Sequence, residues 1–139
     1  MSLRIIRAEI NKKPGKKPVS IMIVDDEACF RSVVRSILDK TYDIFDVPTA
    51  MDAKEFIEVL IPDLFLIDQV MPKIDGQQLA KDIRSVHKTT PIIMITGYDN
   101  PELEKSYKDY GINAYIKKPI READLLREID DLLKNSRSA

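Results

Sequence analysis

The sequence predicts a doubly wound, five-stranded parallel α/β sheet with helices on both faces, and three observations lead there. Apolar runs of strand length alternate with helix-period segments five times between residues 19 and 134. That alternation is the pattern of βα units joined by right-handed crossovers. The strand candidates, VSIMIV and PIIMI among them, are continuously apolar, as strands covered on both faces must be. A chain of 139 residues, 44% hydrophobic and 32% charged, suits one globular domain that buries a substantial core.

The elements follow in order. Val19–Val24 reads as the first strand, and Phe30, Val33, Val34, Ile37 and Leu38 recur at amphipathic-helix spacing behind it. Tyr42–Val47 is a partly polar strand that suits a sheet edge. Thr49 with Asp52 resembles a capping box, opening a helix whose face is Ala53, Phe56, Ile57 and Leu60 and which Pro62 stops. Leu64–Ile67 is the third strand. After Gly76 a helix turns Leu79, Ile83 and Val86 inward. Pro91–Ile95 is the fourth strand, led by a proline where no ladder donor is needed. From Pro101, Leu103, Tyr107 and Tyr110 share a helix face closed by Gly111 as a C-cap. A fifth strand at Ile112–Ile116 and a helix carrying Leu125, Leu126, Ile129, Leu132 and Leu133 complete the chain.

Charge and rare residues narrow the function. Residues 1–18 hold six lysines and arginines against Glu9 alone, a net +5 that leaves −6 for the rest. They read as a flexible, solvated basic leader, whose Met1–Leu3 need not be native; 19–134 is the domain and 135–139 a polar tail. An acidic body argues against direct nucleic-acid binding. No apolar run approaches the roughly 20 residues of a membrane span, no signal peptide is visible, and the cytoplasm is the expected compartment. One cysteine, Cys29, excludes an intramolecular disulfide and is expected as an inert core thiol. One histidine, His87, excludes paired-histidine zinc sites and sits where a helix C-terminus would be answered by its charge.

In a doubly wound sheet, ligands bind beyond the carboxyl ends of the strands. Asp25, Asp26 and Glu27 follow strand 1, Asp68 follows strand 3, Thr96 and Gly97 follow strand 4, and Lys117, Lys118 and Pro119 follow strand 5. Singly, each has a plain explanation: a helix dipole, a turn initiator, an edge-strand lysine. Together they converge on one cleft, where three carboxylates would repel one another. A hard divalent cation removes that conflict, and a lysine and a hydroxyl at the same rim complete a site for a phosphoryl group with aspartate as acceptor.

At this point the sequence resembles the receiver domain of two-component response regulators, the CheY-like group. The matching pieces are IVDDE, LFLIDQVMPKIDG, MITGY and GINAYIKKPI, at the ends of four different strands. With the helices between them they cover about Val19 to Lys134. The resemblance implies a flavodoxin-like strand order of 2-1-3-4-5. It implies Asp68 as phosphoacceptor, and Mg2+ (or Mn2+) held by Asp25, Asp26, Asp68 and the backbone carbonyl of Val70. It further implies Thr96 and Lys118 as phosphoryl-binding residues, Tyr115 as a switch residue and a cis Lys118–Pro119 bond. The donor would be a sensor histidine kinase or a histidine phosphotransfer protein. An output partner, or a homodimer mate, would read the surface of the fourth helix, fifth strand and fifth helix, including Lys105, Lys108, Asp109 and Lys117. Such a chain is a signalling domain rather than an enzyme, assisting only its own phosphorylation and dephosphorylation. After Lys134 only NSRSA remains, so either a stand-alone regulator or a receiver excised from a longer one is expected.

Two departures from the family pattern carry consequences. Val70 and Tyr98 are apolar or bulky two residues after Asp68 and Thr96, flanking the route of water to an aspartyl phosphate, so slow loss of phosphate is expected. Ile112 stands where similar domains carry alanine, a matter of packing. Rival classes fit less well. A haloacid-dehalogenase-like phosphatase would place Asp-x-Asp after strand 1 and needs a cap domain. A flavodoxin-like cofactor carrier needs a phosphate loop rich in backbone donors, where this chain has Asp25-Asp26-Glu27.

Overall fold

Among the described residues five strands alternate with five α-helices: β1 (Ser20–Val24), α1 (Ala28–Leu38), β2 (Asp43–Val47), α2 (Ala50–Ile57), β3 (Leu64–Asp68), α3 (Gly76–Val86), β4 (Ile92–Thr96), α4 (Pro101–Ser106), β5 (Ala114–Lys117) and α5 (Glu122–Ser138). The structure, a computed structural model, describes residues 19–138, with side chains through residue 135. The basic leader expected at 1–18 therefore lies outside the described residues. α5 continues into the segment expected as a polar tail, as far as Ser138. The strands pair in parallel in the order β2-β1-β3-β4-β5, the doubly wound topology that the alternation implied. No described helix is long and apolar enough to cross a membrane.

The sheet separates two cores, and strand alternation builds both. Met22, Val24, Phe65, Ile67 and Met94 face one way, onto Ala53 and Phe56 of α2, Leu79 and Ile83 of α3, and Leu103 of α4. Ile21, Ile23, Leu64, Leu66, Ile93 and Ile95 face the other way, onto Val34 and Leu38 of α1 and Leu125, Ile129 and Leu133 of α5. A strand buried on both faces cannot spare a polar residue until its end, which is why β1 and β3 read as unbroken apolar runs.

Local chemistry sets the helix starts. Thr49, Asp75 and Asn100 each accept a hydrogen bond at Oγ1 or Oδ1 from a backbone N–H three residues on, at 3.0, 2.8 and 3.1 Å. Such caps satisfy donors that a helix cannot satisfy itself. Gly111 adopts φ +78, the left-handed closure expected of a C-cap glycine.

Four expectations require correction. Cys29 is exposed rather than buried. Val33 and Val86 are 58% and 70% exposed: the buried stripe of α1 runs through Val34 and Leu38, and that of α3 through Leu79 and Ile83, leaving these valines beyond the i, i+4 line. The single helix expected from Pro101 to Tyr110 breaks at Ser106 into α4 and a 3₁₀ turn, Tyr107–Tyr110. There the Ser106 hydroxyl donates to the Glu102 carbonyl at 2.7 Å, a bond that competes with the helical ladder and bends it. Strand bounds shift as well: β2 begins at Asp43, one residue after the expected Tyr42, and β5 spans Ala114–Lys117 where Ile112–Ile116 was expected.

Candidate functional site

Four strand ends meet at the carboxyl edge of the sheet. β1 runs into Asp25 and Asp26, β3 ends on Asp68, β4 ends on Thr96, and β5 leads through Lys117 to Lys118. Carboxylate oxygens of Asp25, Asp26 and Asp68 lie within 4.8 Å of one another. Asp25 and Asp68 are almost wholly buried, at 1% and 6% exposure, whereas Asp26 is open to solvent. Lys118 bridges the pair, its Nζ 3.1 Å from Asp25 Oδ2 and 3.7 Å from Asp68 Oδ1, with Glu27 Oε1 at 3.6 Å.

The electrostatics follow from that crowding. Burial and then the charge of Asp25 push the Asp68 carboxyl up to about 6, with Asp26 and Glu27 adding to the rise and Lys118 opposing it. For Lys118, burial works to lower the ammonium's pKa, but the hydrogen bond to Asp25 and the charges of Asp68, Asp25 and Glu27 outweigh it and hold the group above its usual value. A cluster of hard carboxylate oxygens, one of them solvent-facing, is the donor set that Mg2+ or Mn2+ prefers. The site therefore fits such an ion by chemistry.

Thr96 is fully buried, and its Oγ1 accepts from the Tyr98 backbone N–H at 3.1 Å. The Lys118–Pro119 peptide is cis, and the Lys118 N–H donates to the Thr96 carbonyl at 2.7 Å, joining the β4 and β5 ends. Tyr115 stacks on Tyr107 with ring centroids 5.9 Å apart. Its buried hydroxyl has no hydrogen-bond partner among the described residues, and burial raises its pKa, with Glu104 and Asp99 contributing against Lys117. Val70 and Tyr98, two residues past Asp68 and Thr96, are 48% and 68% exposed.

Two supporting residues went unrecognised in the sequence, and a third, Gly76, was legible only as part of the turn after Asp68. The Phe30 ring lies under Lys118 Nζ, 4.0 Å from its centroid, in cation–π range; helical spacing marked Phe30 only as a core residue. Arg31 Nη1 donates to the Asp25 carbonyl at 2.7 Å while its Nε pairs with Asp46 Oδ2 at 3.0 Å, tying the acidic turn to β2. Gly76 leaves no room for a side chain, since a Cβ there would stand 2.1 Å from the Asp68 carbonyl oxygen. Its place in the quoted turn was the one available signal.

With this geometry in view, comparison with known proteins decides the family: the response regulator receiver domain matches residues 21–130. The chain belongs to that family. Among the receiver domain's relatives, chemotaxis protein CheY of Halobacterium salinarum is 31% identical over 81% of this chain and 95% of its own length. Response regulator MprA of Mycolicibacterium vanbaalenii is 29% identical over 86% of this chain but 52% of its own, so the chain spans about half the length of that group of relatives. A CheY-like receiver domain from Methanospirillum hungatei superposes with a TM-score of 0.84 at 28% identity, covering 88% of this chain and 98% of that one.

Proposed function

We propose that this receiver domain accepts a phosphoryl group on Asp68, with Mg2+ or Mn2+, from a phosphohistidine on a sensor histidine kinase or histidine phosphotransfer protein. The observation that carries the reading is the meeting of three carboxylates within 4.8 Å around one lysine that touches two of them. Family membership supports it.

In the transfer, an Asp68 oxygen forms a bond to phosphorus as the P–N bond of the donor breaks, and the imidazole leaves with the electron pair and takes up a proton. Asp68 must be ionised to attack, which its raised pKa of about 6 permits at neutral pH. Lys118 faces the phosphoryl charge as it arrives, and the Thr96 hydroxyl exchanges its Tyr98 backbone contact for a phosphoryl oxygen. Asp25, Asp26, Asp68 and the Val70 carbonyl would hold the divalent cation, which supplies charge neutralisation on the phosphoryl oxygens. Val70 and Tyr98 shield the product from water. Movement of Thr96 then draws on Tyr115, whose hydroxyl has no partner among the described residues to give up and whose ring would leave its stack on Tyr107. That biases the surface formed by α4, β5 and α5, where Lys105, Lys108, Asp109 and Lys117 meet an output protein, an output domain or a second copy. The setting is cytoplasmic.

The test is incubation with acetyl phosphate, with and without Mg2+, read by intact mass. A Mg2+-dependent phosphoryl adduct on the native chain, lost in Asp68→Asn, is the expected result. No adduct, or an adduct that persists in Asp68→Asn, would overturn the reading.

A further inference from the structure

At the opposite end of the sheet lies a cavity of about 580 Å³ whose lining among the described residues includes Arg84, Lys88 and Lys108 and no carboxylate, Asp109 lining only an adjoining hollow that shares those three cations. Volumes of this order are those of small-molecule sites. The cavity is unusual for this chain, in which residues 19–139 carry 22 acidic against 16 basic side chains. Among the described residues, none of the three cations has a carboxylate in ion-pair range. Arg84 is nevertheless held rigidly. Its Nε and Nη2 donate to the Gly111 carbonyl at 3.0 and 2.7 Å, its Nη1 to the His87 carbonyl at 2.9 Å, and its Nη2 also to Asn113 Oδ1 at 3.2 Å. Those partners are neutral, so the guanidinium charge is positioned without being cancelled. Pro91, Ile112 and Leu132 line the same cavity, Leu132 being the most exposed of the three.

We propose that this cavity is a second, separate binding site for a phosphorylated small molecule of the nucleotide class. Lys88 and Lys108 would take the phosphates beside the fixed charge of Arg84, and a flat base would lie against Leu132 on the apolar side of the cavity. The loops that build it precede β4 and β5, whereas the acidic cluster follows the strands. A strand of five residues separates the two ends by roughly 16 Å, so a ligand here leaves the acceptor site free.

The test is titration of the full chain with ATP, with inorganic phosphate and with adenosine, each in EDTA to exclude metal-bridged binding at the acidic cluster. Binding would be read by calorimetry and by amide chemical shifts. Saturable ATP binding is expected, at least tenfold tighter than inorganic phosphate or adenosine, with shifts centred on residues 88, 108 and 113. It should weaken at least tenfold in a Lys88→Ala, Lys108→Ala variant of unchanged melting temperature and persist in Asp68→Asn. The proposal fails if no binding saturates, if ATP binds no tighter than inorganic phosphate, if the lysine variant binds as well as the native chain, or if Asp68→Asn abolishes binding.

Discussion

Asp68 sits at 6% exposure beside two other carboxylates, and its ionisation has a sign that can be measured. Its pKa in the folded chain is raised from 3.8 to about 6. Between those values the folded chain binds a proton that the unfolded chain has released, so stability falls as pH rises through that window. Above it the full cost is about 3 kcal/mol, two pKa units at about 1.4 kcal/mol each. Asp68→Asn in metal-free buffer should therefore stabilise the chain at pH 7–8 and leave it nearly unchanged at pH 3, checked by denaturant titration at both. Two residues past Asp68 and Thr96, Val70 and Tyr98 expose bulky apolar surface, and both are proposed to keep water from a phosphorylated Asp68. A Val70→Asn, Tyr98→Ala variant should lose phosphate roughly tenfold faster, a barrier lowered by about 1.4 kcal/mol. Following the decay of the phosphorylated chain checks this, and an equal or slower rate would contradict the shielding role.

At the scale of elements, the start of α3 is built against the backbone of Asp68. The Gly76 N–H donates to the Gln69 carbonyl at 2.9 Å, and a Cβ at Gly76 would meet the Asp68 carbonyl oxygen at 2.1 Å. Backbone atoms cannot rotate away as a side chain can, so Gly76→Ala must displace either the helix or the acceptor turn. The expected outcome is a stability loss of roughly 1–3 kcal/mol, seen as a lower denaturation midpoint, together with slower phosphoryl uptake. Strand and helix identities were legible because short unbroken apolar runs, buried on both faces, and period-3.6 burial leave different marks on the sequence. The break at Ser106 was not, because a hydroxyl that bonds back along its own helix leaves the apolar spacing of Leu103, Tyr107 and Tyr110 intact. The exposure of Val33 and Val86 was equally hidden, since an apolar residue at the margin of a helix face carries the same letter as one at its centre.

For the molecule as a whole, the strand ends could be read from the sequence because a doubly wound sheet delivers them to one edge. Asp25, Asp26, Asp68, Thr96 and Lys118 therefore announced their meeting through topology. Phe30 beneath Lys118, and Arg31 on the Asp25 carbonyl, depend on helix rotation and side-chain reach, which spacing alone does not specify. The basic cavity was invisible for the same reason: Arg84 and Lys88, at and just past the end of α3, meet Lys108 only when α3 packs beside the 3₁₀ turn before β5. The central claim is that Asp68 is the phosphoryl acceptor. The most direct measurement is borohydride reduction of the chain after treatment with acetyl phosphate and Mg2+, followed by peptide mass mapping. Reduction of an aspartyl phosphate leaves homoserine, and the account predicts homoserine at position 68 alone, only when Mg2+ is present. Homoserine at Asp25 or Asp26, or an unmodified Asp68 in a chain that carries phosphate elsewhere, would contradict it.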